Sequence, residues 1–343
     1  MSMFAVLLDK LQRREDLTVD EASGAMAEIM EGRAQPSNIA ALLVGLSMKG
    51  ERPSEIVGLA RAMRRRATPL PFPGKAPDVF DTCGTGGDGA DTFNVSTAAA
   101  LVVAASGVTV AKHGNRSVSS RCGSADVFEA LGVKIDASPA VAVRCLEGAG
   151  IAFLFAPTFH PSMRHAGPTR KELGIRTAFN LLGPLTNPAG AARQLVGVPR
   201  PELTELVARS LGMLGTSRAW VVHGADGLDE LSTTGYSKVS EYRDGAVNTF
   251  YVHPSEFGIA KATRADLRGG DAATNAKIIR TVLDGGTGAQ RDIVLYNAAA
   301  SLLIAGRAAT LAEGLVLAAE AVDSGRAREV LARLATLSQG LAA

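Results

Sequence analysis

Beyond residue 78, short β-branched runs alternate with alanine-rich stretches, and that alternation leaves few folds open. Val79-Phe80, Val108-Thr109-Val110, Val133-Lys134-Ile135, Ile151 to Phe155 and Trp220-Val221-Val222 read as buried strands. Thr97 to Ser106, Ala125 to Leu131, Pro139 to Glu147 and Pro201 to Leu214 read as the helices between them. Val294 to Ile304 and Leu311 to Leu337 supply late helices. Strands separated by helices return in the same direction, so the pattern predicts a mostly parallel central sheet flanked by helices.

The first 70 or so residues carry a different period. Thr18 and Glu21 form a capping-box pattern, after which Ala22, Ala25, Met26, Ile29 and Met30 share one helical face, with Gly32 as a stop. A second helix follows Pro36-Ser37 through Ile39, Leu42, Leu43 and Leu46 to Gly50. A third opens at Pro53-Ser54 and runs through Ile56, Val57, Ala60 and Met63. Its basic end, Arg61 and Arg64-Arg65-Arg66, suits a helix C-terminal dipole in solvent. Pro69, Pro71, Pro73 and Pro77 mark a linker. At 343 residues the chain exceeds one ordinary core. We therefore expect a helical domain over 1–72 and an α/β domain over 73–343.

Charge and cysteine content narrow the function classes. The formal charge is +2, from 36 Lys+Arg against 34 Asp+Glu, which does not favour a general nucleic-acid binder. Three scattered cysteines without a Cys-x-x-Cys pair favour neither a disulfide framework nor a zinc site, and fit a reducing cytoplasm. No run approaches 18 apolar residues, so no membrane span is expected. The start of the chain lacks the order of a secretion signal.

Three phosphate-holding devices fall between Asp81 and Gly132. Gly84, Gly86, Gly87 and Gly89 follow a strand, where glycines let backbone amides approach an anion. Their spacing satisfies G-x-G-x-x-G, but the region Ala104 to Lys112 lacks the carboxylate a dinucleotide site needs, and no Walker-type Lys-Ser/Thr follows. Asn94-Val95-Ser96-Thr97 opens a helix, and the same groups that cap a helix also bind phosphate. Lys112-His113-Gly114-Asn115-Arg116, with Ser117, Ser119 and Ser120 beyond, forms a basic loop after the strand ending at Val110-Ala111. His113 reads as structural, since no nucleophile lies near it. Downstream, the loop His223 to Glu230 carries the adjacent carboxylates Asp229 and Glu230, which a loop can turn toward one cavity to share magnesium with phosphates. The stretch His160 to Leu173 is rich in cations, and Arg170 is one surface arginine among them.

These strings resemble anthranilate phosphoribosyltransferase. The likeness rests on GTGGDG, TFNVST, KHGNRSVSS and GSADVFEALG within Asp81 to Gly132, on Arg170 to Pro188, and on Asp226 to Glu230, and it covers nearly the whole chain. It implies a small helical domain hinged to a larger α/β domain, an architecture like that of nucleoside phosphorylases. The segment near 165–190 would join the small domain, and two copies would pair through it. The implied reaction moves ribose 5-phosphate from phosphoribosyl diphosphate to the amine of anthranilate, in tryptophan biosynthesis. The resemblance gives Gly84, Gly87, Asp88, Thr92, Asn94, Ser96, Thr97, Lys112, Asn115, Ser119, Ser120 and Ser124 to the donor, with Val95, His113, Gly114, Arg116, Ser117 and Val118 between them. It gives Ser96, Asp229 and Glu230 to magnesium, and Gly84, Asn115 and Arg170 to anthranilate. No general base is assigned, and His113 stays a candidate for late proton removal.

Two other readings compete. A nucleoside phosphorylase would use lone phosphate, which explains the Asp229-Glu230 pair less well. A non-enzymatic nucleic-acid-binding relative would need a basic groove, which the near-balanced charge does not favour.

Overall fold

The structure is a computed structural model, and it describes residues 2–72, 78–117 and 121–341. Seven strands build one sheet: β1 (Phe80–Gly84), β2 (Val110–Gly114), β3 (Ile151–Phe155), β4 (Arg193–Gly197), β5 (Arg218–Gly224), β6 (Ser237–Arg243) and β7 (Ala246–Val252). Their order is β3-β2-β1-β4-β5-β6-β7. The first five are parallel, and β6 and β7 return antiparallel. Helix Val95–Ala105 is buried at almost every position and Ala289–Ile304 from Ile293 onward at all but Leu303, as helices in the middle of a core must be.

Several sequence expectations need correction. Val133-Lys134-Ile135 is no strand. Val133 and Ile135 are buried, but the Lys134 amide donates to Ser338 Oγ at 2.9 Å and joins no ladder. Two apolar residues flanking a polar one imitate strand alternation over too short a window. The second strand starts at Val110 and runs on to Gly114, so Lys112 and His113 belong to it and not to a loop. The reading also missed β4, with only two large apolar residues, and the β6–β7 hairpin, whose outer faces are polar. Asp244 and Gly245 both have positive φ there, which a tight hairpin turn of this kind requires.

The N-terminal region forms helices Met3–Gln12, Val19–Met30, Pro36–Lys49 and Pro53–Arg65. The Thr18–Glu21 capping box is made in both directions, at 3.2 and 2.9 Å. The last of these helices does not end in open solvent. Arg64 donates to Leu185 O at 2.7 Å and Leu214 O at 3.1 Å, and Arg66 pairs with Glu31. Pro69 and Pro71 lie in irregular chain after it, while Pro73 and Pro77 fall outside the described residues. The helices share one apolar cluster with Ala166, Phe179, Leu182 and Leu185, and with Val196 and Val221 from one face of the sheet. Gly58 sets the crossing of Val19–Met30 over Pro53–Arg65: a Cβ there would lie 2.4 Å from Val19 O and 2.7 Å from Ala22 Cβ.

Buried polar groups then tie residues 160–187 to the sheet. Asn187 donates to Asp81 Oδ2 at 2.8 Å and to Ala111 O at 2.7 Å. His113 Nδ1 lies 3.1 Å from Gly183 O, and His160 Nε2 lies 2.9 Å from Thr186 O. A carbonyl only accepts, so each of those ring nitrogens carries the proton. Burial pushes the His113 pKa down to about 3 and lowers that of His160 as well.

Two predictions follow from this packing. Gly58→Ala should cost about 1–3 kcal/mol in urea unfolding, because neither neighbouring helix can retreat without loosening the bundle; an unchanged midpoint contradicts the close crossing. Second, the fold keeps both histidines neutral while the unfolded chain takes up protons below about pH 6.5. Stability is thus complete above 6.5 and falls as pH drops toward the folded pKa, by up to about 1.4 kcal/mol per pH unit for each ring. His113→Asn should narrow the stability gap between pH 7 and pH 5; an unaltered gap would show that His113 is protonated in the fold.

Candidate active site

The chain runs outward from β1 through β2 to β3, then crosses back to set β4 on the other side of β1. Loops leaving the carboxyl ends of β1 and β4 part at such a reversal and open a crevice. A cavity of about 790 Å³ lies at these strand ends. Gly84, Gly87, Asp88, Thr92, Asn94, Val95, Ser96, Lys112, His113, Gly114, Asn115, Arg116, Ser117, Ser124, Arg170, Asp229 and Glu230 all line it. Thr97 does not: its side chain is fully buried behind the helix start. Val118, Ser119 and Ser120 lie outside the described residues.

The glycine-rich loop and the acidic loop are built against each other. Gly86 donates its amide to Asp229 Oδ2 at 3.1 Å, and Ser96, at the N-terminus of helix Val95–Ala105, donates its amide to Glu230 Oε1 at 3.1 Å. A Cβ on Gly84 would sit 2.6 Å from Asp229 Oδ2, so glycine is needed there for close approach. The acidic loop is fixed from behind: Asn297 accepts from the Leu231 amide at 3.0 Å and donates to the Leu231 carbonyl at 2.9 Å. Desolvation raises the pKa of both carboxyls, and like charge adds to it, from Asp88 on Asp229 and from Asp229 on Glu230.

The cations facing this negative charge differ in how they are held. Lys112 is buried, donates to Thr82 O, and lies 3.3 Å from Ser96 Oγ. Burial lowers its pKa, while Asp81 and the acidic pair oppose that. Arg116 is committed elsewhere, to Asp126 at 2.8 Å and Glu129 at 2.9 Å, and so braces its own loop. Arg170 stacks over Phe179 at 5.0 Å. Asn94 makes no cap bond of its own. It joins two loops instead, donating to Cys122 O at 3.2 Å and accepting from Asn275 at 2.9 Å.

Among the described residues no three His, Cys, Asp or Glu side chains converge as a ready metal cage. Magnesium does not need one, since it keeps waters and takes one or two carboxylates together with substrate phosphates. Two desolvated carboxylates with surplus negative charge, beside the Ser96 hydroxyl, fit that ion. The cavity also contains residues that the sequence reading left out, among them Asp91, Arg121, His160, Arg176 and Phe179. His160 stood in the cation-rich stretch already noted; Arg176 and Phe179 followed it with no spacing signal.

Comparison with known proteins agrees with this geometry. Residues 5–67 match the glycosyl transferase family, helical bundle domain, and residues 76–328 its a/b domain. Anthranilate phosphoribosyltransferase of Moorella thermoacetica is 56% identical over 325 residues, 95% of each chain; that of Symbiobacterium thermophilum is 52% identical over 98% of each. The crystal structure of the Thermus thermophilus enzyme superimposes with a TM-score of 0.90 at 44% identity, covering 97% of this chain and 99% of that one. The Saccharomyces cerevisiae enzyme, solved in complex with PRPP and Mg, gives 0.89 at 27% identity over 98% of each chain. With both domains matched and this identity sustained from end to end, the chain belongs to the anthranilate phosphoribosyltransferase family.

Proposed function

We propose that this protein transfers the 5-phosphoribosyl group from phosphoribosyl diphosphate to the amine of anthranilate, releasing diphosphate, in tryptophan biosynthesis. The observation that carries the reading is the meeting of the Gly84–Asp88 loop, the start of helix Val95–Ala105, Lys112 and the Asp229–Glu230 pair in one cavity. Each is a device for holding phosphate or the cation that accompanies it.

The chemistry follows from where charge develops. As the bond from ribose C1′ to the diphosphate oxygen breaks, negative charge grows on the leaving group and positive charge on the sugar. Loop amides and Lys112, held at the mouth of the crevice, would stabilise the first with little reorganisation. Ser96, Asp229 and Glu230 would hold magnesium, which supplies further neutralisation of the diphosphate when bound. Gly84 and Asn115 bound the acceptor side, and Arg170, braced on Phe179, clamps the anthranilate carboxylate. The aryl amine is neutral at pH 7 and attacks C1′ through its lone pair, so positioning supplies much of the remaining acceleration. His113 is a poor proton acceptor at a pKa near 3, so no general base is assigned to it.

The same reading extends to organisation. Residues 1–72 with about 165–190 form the small domain, hinged to the rest; Ala166, Phe179, Leu182 and Leu185 pack in the same apolar cluster as the first four helices, and that cluster continues onto one face of the sheet. A homodimer through that domain would cover Met3, Val6, Met48 and Ile175, which are exposed. Among the described residues no helix is long and apolar enough to cross a membrane, and soluble phosphorylated substrates suit the cytoplasm.

Loss of anthranilate fluorescence should require enzyme, phosphoribosyl diphosphate and magnesium together; folded protein that causes no loss would mean a different acceptor. Asp229→Asn with Glu230→Gln should strongly weaken magnesium-stimulated turnover, and wild-type activity at every magnesium concentration would remove both residues from the site. Arg170→Ala should raise the KM for anthranilate about tenfold to a hundredfold, as loss of a charge-assisted pair does, and the donor KM far less. Equal effects on both would rule out the clamp.

A further inference from the structure

Arg176 is a cavity-lining cation that none of the foregoing uses. It stands between helix Gly167–Leu173, which ends at the left-handed Gly174, and the turn that opens at Thr177. Both neighbours of that position are anchored: Leu173 packs against the helical cluster, and Ala178 and Phe179 are part of it. The side chain therefore extends from a fixed base into the crevice.

Where it ends is unusual. A Cβ placed on Gly87 would lie 1.6 Å from Arg176 Nη1, so the guanidinium packs directly on the backbone of the glycine-rich loop. Gly87 has φ +80, a conformation that side chains rarely adopt, so the loop is doubly committed to glycine there. Arg176 nevertheless makes no hydrogen bond or ion pair with any described residue. Asp88 and Asp229 favour its charge from a distance and Arg200 opposes it. Three other cations of the cavity are engaged: Arg116 with Asp126 and Glu129, Lys112 with Thr82 and Ser96, Arg170 with Phe179. A half-desolvated guanidinium lying on a phosphate-binding loop, with its donors unused, is suited to one ligand chemistry, a multiply charged oxyanion gripped by two parallel N–H donors.

We infer that Arg176 is a donor-binding residue that contacts the diphosphate of the phosphoribosyl donor across the Gly84–Asp88 loop. This rests on the phosphoribosyl-transfer reading and adds to it a contact contributed by the segment packed with the helical bundle. Both parts of the chain would then hold the leaving group, so that donor binding also fixes how they sit together. No covalent step is assigned to Arg176. Its effect is to lower the free energy of bound diphosphate, in the ground state and more so as charge develops during bond breaking.

The test uses the full-length protein and magnesium diphosphate as probe, with calorimetric titration of wild type, Arg176→Ala, Arg176→Gln and Arg176→Lys. Because Arg176 is exposed along its flank, the substitutions leave the core untouched, and circular dichroism checks this. The inference predicts that the Ala and Gln variants bind magnesium diphosphate about tenfold to a hundredfold more weakly, with Lys in between as a point charge without the fork. Donor KM should rise in the same order while anthranilate KM shifts less than about threefold, a split that general loss of structure does not produce. Wild-type affinity for magnesium diphosphate in the Ala and Gln variants overturns the inference and leaves the catalytic reading standing. Failure of wild type itself to bind magnesium diphosphate overturns both.

Discussion

Adjacent carboxylates held against backbone amides organise this molecule. Asp229 and Glu230 come from one loop and take amide donors from two others, at Gly86 and Ser96. Those bonds fold the glycine-rich loop and the start of helix Val95–Ala105 around a common point, where glycine at 84 leaves room for the Asp229 oxygen. The same closeness leaves negative charge crowded and desolvated, with Asp88 nearby and Lys112 as the buried counter-charge. Crowding of this kind is costly on its own and becomes favourable when a divalent cation and a polyanion enter together, which is the logic of a site built for a magnesium-bound diphosphate.

The fold serves to bring these loops to one place. Parallel strands put their carboxyl ends on one edge, and the reversal between β1 and β4 opens that edge as a crevice. Asn297, on a helix buried in the core, fixes the acidic loop by gripping Leu231 from both sides. On the other flank, residues 160–187 are tied to β1 and β2 by Asn187 and His113, are held within themselves by the His160 bond to Thr186, and carry Arg170 and Arg176 to the cavity. Neutral, buried histidines are suited to this task because each offers a fixed donor to a carbonyl without introducing a charge.

Much of this was legible in the residues. The alternation beyond residue 78 pointed to a parallel sheet, and the Thr18–Glu21 box to a helix start, because both depend on local periodicity. The phosphate-holding segments stood out through composition: glycines after a strand, hydroxyls at a helix start, a cation beyond the next strand. Other features were hidden. Lys112 reads as a loop cation, yet it lies inside β2, since the strand continues past its last aliphatic residue. The β6–β7 hairpin faces solvent, so its polar alternation resembles loop sequence. Arg176 depends on a tertiary contact with Gly87, about ninety positions earlier in the chain, which no spacing rule reports.

If the Asp229–Glu230 pair and the glycine-rich loop form one site, that site binds metal and diphosphate cooperatively. Manganese, a paramagnetic substitute for magnesium, can be titrated into the protein and followed by electron paramagnetic resonance, with and without diphosphate. Diphosphate should tighten manganese binding to wild type, and Asp229→Asn with Glu230→Gln should remove this enhancement. Enhancement that survives intact in the double variant would contradict the shared site, because the metal-bound diphosphate would then be held somewhere else.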